Sequence, residues 1–164
     1  MKIYRFYTDE NYRGLSLLFP DLVDEKFLNK SCSSDTSVKN EWREIEFKYS
    51  DKKKKGDVTD YYYVPIFTDK ATEILRPYLE NDGEFLPINC KGDKYYIYHL
   101  FRREDILDFE KSEFEYYDDN KKTISRIAKF EFKKEKIDSL DDLYMFRLEK
   151  PSISNVLFLS LIHI

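Results

Sequence analysis

Glycine and proline are scarce, at four and five of 164 residues. That scarcity excludes collagen-like and linker-like chains, and four glycines do not assemble any of the glycine-rich phosphate loops. The two cysteines, Cys32 and Cys90, do not make the disulfide framework of a small secreted domain. The signatures HExxH, CxxC and GxSxG do not occur, so the usual zinc-hydrolase, redox and serine-hydrolase patterns are missing. No run approaches the roughly 20 apolar residues of a membrane helix. Met1–Tyr7 lacks the apolar core of a signal peptide. A cytoplasmic address without membrane contact is the expectation.

Aromatic residues are abundant. Fourteen Tyr, 13 Phe and one Trp make up 17% of the chain, too much apolar surface to leave in water, which argues against disorder. At 19.9 kDa the length suits one domain. Lys and Arg number 28 against 32 Asp and Glu, for a net charge of -4. Nucleic-acid binders carry the opposite balance, because basic groups release phosphate counterions. The local exception is Lys52–Lys55, which reads as a solvated hairpin tip because Gly56-Asp57 follow it.

Along the chain the hydrophobic period is mostly two. Met1–Tyr7 reads as a strand and 29–40, rich in Ser, Lys, Asn and Asp, as a loop. In Trp42–Tyr49, Ile45, Phe47 and Tyr49 alternate with Glu44, Glu46 and Lys48, which puts the rings inward and the charges in water. The apolar run Asp60–Phe67 ends at Thr68-Asp69, a helix N-cap signal. Ala71, Ile74, Leu75, Tyr78 and Leu79 then form one apolar stripe of a helix over about 69–80, with Pro77 inside it and Asn81-Asp82-Gly83 as its stop. Glu84–Ile88 and Lys94–Leu100 read as a hairpin, and Glu113–Tyr117 and Ile124–Phe132 as another, turning at Asp118-Asp119-Asn120. In the last of these Ala128, Phe130 and Phe132 alternate with Lys129 and Glu131. Asp138–Asp142 reads as a helical turn, and Leu143–Leu148 and Asn155–Phe158 as closing strands. The sum is a strand-rich α+β single domain with one assigned helix, over about 69–80.

The residues offer several sites, each with a plain structural reading beside it. His99 alternates with Tyr95 and Ile97 and reads as a hydrogen-bonded core histidine before it reads as a general base. A Cys90–His99 nucleophilic pair needs spatial contact that sequence does not supply. Glu44 and Glu46 lie about 7 Å apart on one strand face, a spacing any Glu-x-Glu strand gives. The clusters Tyr61–Tyr63 and Tyr95-Tyr96 have rings that stack on bases or sugars or pack in the core. The preferred binding candidate is Tyr116-Tyr117 beside Asp118-Asp119, aromatic anchors with an acidic edge. No catalytic, cofactor or metal residues are assigned.

A family resemblance begins at Val64. The segments Val64-Pro-Ile-Phe-Thr-Asp-Lys-Ala71, Ile74-Leu-Arg-Pro-Tyr-Leu79, Gly83-Glu-Phe-Leu-Pro87, Tyr95-Tyr96, Asp105-Ile-Leu-Asp108 and Lys111-Ser-Glu-Phe114 follow in order. This order resembles the eleventh immunity-protein family of bacterial polymorphic toxin systems, once catalogued as a domain of unknown function. Residues 64–158 carry the likeness. The resemblance implies a cytoplasmic, non-catalytic protein that binds and neutralises a cognate toxin, with no cofactor. It implies turn and strand-edge roles for Gly83 and Pro87 and turn caps at Asp108 and Ser112. Similar members continue past Val156-Leu157-Phe158 into an acidic helix and a short strand. Here Leu159–Ile164 correspond instead to one reading frame of a common transposon-end sequencing adapter. On this reading residues 1–158 are a single immunity-protein-like domain truncated at its C-terminus, 159–164 are translated adapter, and His163 is not functional. Two alternatives stay open: a small hydrolase using His99, and an RNA-binding module using Lys52–Lys55 and the tyrosines, although nucleic acid is not the expected partner.

Overall fold

The computed structural model describes residues 3–18, 22–140, 143–150 and 157–160. Among these the elements run β1 (Ile3–Arg5), β2 (Leu15–Leu17), α1 (Leu22–Ser33), β3 (Ile45–Tyr49), β4 (Val58–Tyr61), β5 (Val64–Thr68), α2 (Asp69–Leu79), β6 (Gly83–Cys90), β7 (Asp93–Leu100), β8 (Arg103–Glu104), β9 (Glu113–Tyr116), β10 (Ile124–Lys129), α3 (Lys134–Ile137), β11 (Met145–Leu148) and β12 (Leu157–Ser160). The fold is the strand-rich α+β class expected from the sequence.

Six strands form the main sheet in the order β2-β3-β6-β7-β5-β4. Its centre is the β6–β7 hairpin, paired from Gly83↔Leu100 to Cys90↔Asp93. The turn residues Lys91 and Gly92 both have positive φ, 53° and 88°, the geometry a two-residue hairpin needs to match strand twist. The sheet curls until its two ends nearly meet. Tyr12 bridges to Lys54, and the Arg13 N–H donates to the Lys54 carbonyl at 2.8 Å. Lys52–Lys55 therefore lie in a crossing loop between β3 and β4, which are not neighbours in the sheet, and not at a hairpin tip.

The period of two divides the side chains of β7 between two cores. Tyr95 and Ile97 pack with Leu28 and Cys32 of α1 and with Phe47, Ile66 and Leu86. Tyr98 and Leu100 pack with Ala71 and Leu79 of α2 and with Phe67 and Met145. A second sheet, β1-β12-β11-β8, supplies Phe146 and Leu148 to a third core with Ile106, Leu107 and Ile127, against which Phe114 of the β9–β10 ribbon packs. Leu159 and Ser160 pair with Tyr4 and Ile3 in β12; residues 155–156 and 161–164, His163 included, lie outside the described residues.

Helix α2 begins where the sequence places it. The Thr68 hydroxyl accepts the Ala71 N–H at 3.2 Å, the standard N-cap bond. The helix passes Pro77 and ends at Leu79, with Glu80 N–H bonded to the Arg76 carbonyl. The expected stripe is only partly buried. Ala71, Thr72 and Leu79 face the core, whereas Ile74 is 60% exposed and Tyr78 projects outward against Tyr144.

Three further expectations change. Residues 29–33 are the last turns of α1 and not loop. The turn expected over Asp138–Asp142 is displaced to α3 at Lys134–Ile137, and residues 141–142 lie outside the described residues. On β10, register shifts around Ser125 and Ala128 rotate the strand, so Ile127 is buried and Ala128 exposed. An extra residue in one strand reverses the faces beyond it.

Gly83 sits where β6 leaves α2. A Cβ there would lie 2.5 Å from the His99 carbonyl oxygen and 2.7 Å from the Tyr98 hydroxyl. Gly83→Ala is expected to destabilise the protein by about 1–3 kcal/mol, read as a lower urea midpoint at unchanged slope. An unchanged midpoint would contradict the packing described for this rung. Pro87 is tolerated in β6 because the pairing with β3 starts one residue later, at Ile88. Its carbonyl accepts the Trp42 indole N–H at 2.9 Å.

Candidate functional site

The preferred binding residues sit together at the tip of the β9–β10 hairpin. Tyr116 pairs with Ile124, and the Tyr117 N–H donates to the Thr123 carbonyl at 2.9 Å. Asp118 organises the loop. Its carboxylate accepts the Lys122 N–H at 2.9 Å and its carbonyl accepts the Lys121 N–H at 3.1 Å. Lys121 adopts a φ of 54°, which brings the chain back on itself. The acidic edge is thus narrower than the sequence suggests: Asp118 is a turn residue, Asp119 remains exposed, and Lys121-Lys122 follow directly. Tyr116 is half-buried against Phe114, whereas Tyr117 stands 78% exposed. One rung down, Arg126 and Glu115 form a two-point ion pair at 2.6 and 2.7 Å.

His99 is fully buried, and both ring nitrogens are engaged. Nε2 lies 2.9 Å from the Ser34 carbonyl and Nδ1 lies 2.9 Å from Glu84 Oε1. A carbonyl only accepts, so Nε2 carries a hydrogen. The Glu84 carboxylate also accepts the Ser37 hydroxyl at 2.6 Å and the Val38 N–H at 2.7 Å. The carboxylate thus gathers three partners, and the ring is fixed between it and the Ser34 carbonyl. The cluster fastens the loop after α1 to the β6–β7 hairpin. Burial pushes the Glu84 carboxyl up, but Ser37, His99 and Val38 outweigh it and hold it below its ordinary value of 4.5.

A depressed carboxyl contributes stability that is complete above its unfolded pKa and lost as pH falls through the folded one. The stability gap between wild type and Glu84→Gln is therefore expected to be wide at pH 6 and to shrink well below pH 4.5. Urea unfolding at pH 6 and pH 3 reads it; a gap equal at both pH values would refute the assignment.

Other sequence candidates separate in space. Cys90 pairs with Asp93 and His99 with Glu84, six rungs or about 20 Å apart along the hairpin, so they form no nucleophilic pair. Both cysteines are buried and free. Burial pushes the Cys32 thiol up to about 12, against the lowering influence of Arg147, which leaves it protonated and a poor nucleophile. Glu44 and Glu46 are exposed, and Glu46 accepts the Asn89 amide at 2.8 Å. Lys55 pairs with Asp93 at 3.0 Å, while Tyr95, the ring beneath it, is buried and unable to stack on a base. The expected turn cap is present at Asp108, whose carboxylate accepts the Glu110 and Lys111 N–H groups; the Ser112 hydroxyl bonds to the Glu131 backbone. Among the described residues no group of His, Cys, Asp and Glu is placed to hold a metal ion, and no helix is long and apolar enough to cross a membrane.

Sequence reasoning missed a buried arginine. Arg147, on β11, is nearly buried, and its Nη1 donates to the Cys32 carbonyl at 2.8 Å. A cation at a helix C-terminus satisfies an open carbonyl and opposes the dipole. The contact spans 115 residues of chain, so no local signal marks it.

No family model matches the chain, and no curated protein matches it.

Proposed function

We propose that this chain is a non-catalytic immunity protein that binds and neutralises a cognate bacterial toxin in the cytoplasm. The observation that carries this reading is the β9–β10 tip. Tyr117 is displayed to solvent on a loop closed by Asp118, so a large ring is offered with little further ordering to do on binding. Tyrosine in such a setting is a common interface anchor. The order of segments from Val64 to Phe114, which resembles the immunity family, points the same way. The hydrolase reading requires His99 to meet a substrate, yet the ring is buried with both nitrogens engaged.

The mechanism follows from binding alone. The chain either occludes the toxin's active site or holds the toxin inactive, and exposed charge around the tyrosines speeds encounter. The test is growth rescue. A toxin-like domain, sought in the gene beside this one, is expressed in a host with and without the chain. Rescue by the wild type, retained in His99→Gln if that variant folds, is expected. Failure of the wild type to rescue, with the chain soluble and abundant, overturns the reading.

A further inference from the structure

The β4–β5 connection is a two-residue hairpin closed by Tyr61↔Val64. Its two central residues are Tyr62 and Tyr63, with φ of 47° and 68°. Both positions need a left-handed backbone, which asparagine and glycine adopt readily and bulky residues do not. The rings gain little burial in exchange, since Tyr62 is 63% exposed and Tyr63 54%. The turn is nonetheless fixed. The Tyr63 N–H donates to Asp60 Oδ2 at 2.8 Å, and Tyr61 meets Tyr62 edge to face at 4.6 Å. Two aromatic residues are thus held in a costly conformation while facing water, a pattern that marks a functional surface.

This turn is tied to the segment that follows β1. Asp60 also accepts the Thr8 hydroxyl at 2.7 Å. Tyr7, beside Thr8, is exposed under the Arg5 guanidinium and within electrostatic reach of Arg126 on β10. Tyr7 therefore adds a further exposed ring beside the residue that Asp60 anchors. Around the turn acids outnumber bases. Asp60 sits beneath it, Glu25 acts on the Tyr61 hydroxyl, and Asp9, Glu10 and Asp51 line the same 210 Å³ hollow as Asp60, against Arg13 and Lys53. Acid-flanked tyrosine rings suit arginine and lysine, which pair with the carboxylates and lie over the ring faces.

Resting on the immunity reading, we infer that the Tyr62–Tyr63 turn is a second anchor of the partner-binding face, and that it takes a basic, Arg- and Lys-rich protein surface of the toxin.

The double variant Tyr62→Asn, Tyr63→Gly separates folding from binding, because its residues fit the turn without strain. Thermal unfolding of the full chain is expected to rise by about 3–6 °C. Affinity for the toxin domain that the chain neutralises in the growth-rescue test is expected to fall about 30-fold or more, and wild-type association to slow steeply as salt is raised. The ring-keeping variant Tyr62→Phe, Tyr63→Phe retains most of the affinity. A fall in melting temperature on Tyr62→Asn, Tyr63→Gly overturns the inference, because the rings then serve folding. Unchanged affinity, with wild-type binding intact, overturns it while the immunity reading stands. Wild-type self-association abolished by the variant assigns the face to a second copy and also overturns it. Absence of wild-type binding overturns the immunity reading, and this inference with it.

Discussion

Replacing Glu84 with alanine is expected to cost about 2–3 kcal/mol, a large share of the roughly 5–15 kcal/mol that holds a domain together. The magnitude follows from what the carboxylate leaves behind. His99 would remain fully buried with Nδ1 facing no partner. The Ser37 hydroxyl and Val38 N–H would lose their shared partner at the same step. Leaving buried polar groups without a partner costs more than the hydrogen bonds themselves contribute, because those groups stay desolvated. Chemical denaturation reads the loss. A double-mutant cycle with His99→Gln isolates the coupling; additive losses would show that the two side chains do not depend on one another. Hydrogen exchange across 34–44 is expected to rise in Glu84→Ala, since the loop then keeps only its weaker ties.

Truncating Tyr117 to alanine is expected to weaken toxin binding at least tenfold while leaving the melting temperature within about a degree. The two halves have one cause. A ring 78% exposed packs on little within the chain, so its loss barely touches folding. The same ring, displayed on a closed loop, is available for burial by a partner, and central tyrosines of this kind carry a disproportionate part of interface energy. Asp118→Ala is expected to weaken binding for a different reason: it releases the Lys122 N–H and loosens the loop. Asp119→Asn, which keeps the shape and removes one exposed charge, is expected to slow association at low salt with little change in dissociation. Calorimetric melting and surface-binding kinetics of the variants give both readouts. A Tyr117→Ala chain that binds normally would remove the tip from the interface.

Much of the framework was legible because it is written in local chemistry. Thr68 caps α2 as its position before Asp69 suggests, and the alternation of Ile45 and Phe47 with Glu44 and Glu46 predicts burial correctly. The β6–β7 hairpin is marked by its turn, and the structural role of His99 by the apolar residues it alternates with. What was missed depends on distant partners. Helix α1 ends in Asn29-Lys30-Ser31-Cys32-Ser33, where Asn29 and the two serines read as loop. It persists because Leu28 and Cys32 pack under the main sheet and Arg147 reaches the Cys32 carbonyl. The same limit applies to the candidate site. Tyr116-Tyr117-Asp118-Asp119 are brought to one tip as expected, but the turn duty of Asp118 requires Lys122 to be seen folding back onto it. The Tyr61–Tyr63 run is visible in sequence, while its left-handed turn is not, since nothing in three tyrosines signals positive φ.

The most direct test of the account is a calorimetric titration of the purified chain into a toxin-like domain sought in the gene beside its own, with the domain's toxic activity assayed in the same samples. The account predicts saturable binding at one chain per toxin domain and loss of activity in proportion to the bound fraction. Absence of binding under conditions where both proteins are folded, or turnover of a substrate by this chain that is lost in His99→Ala, would contradict it.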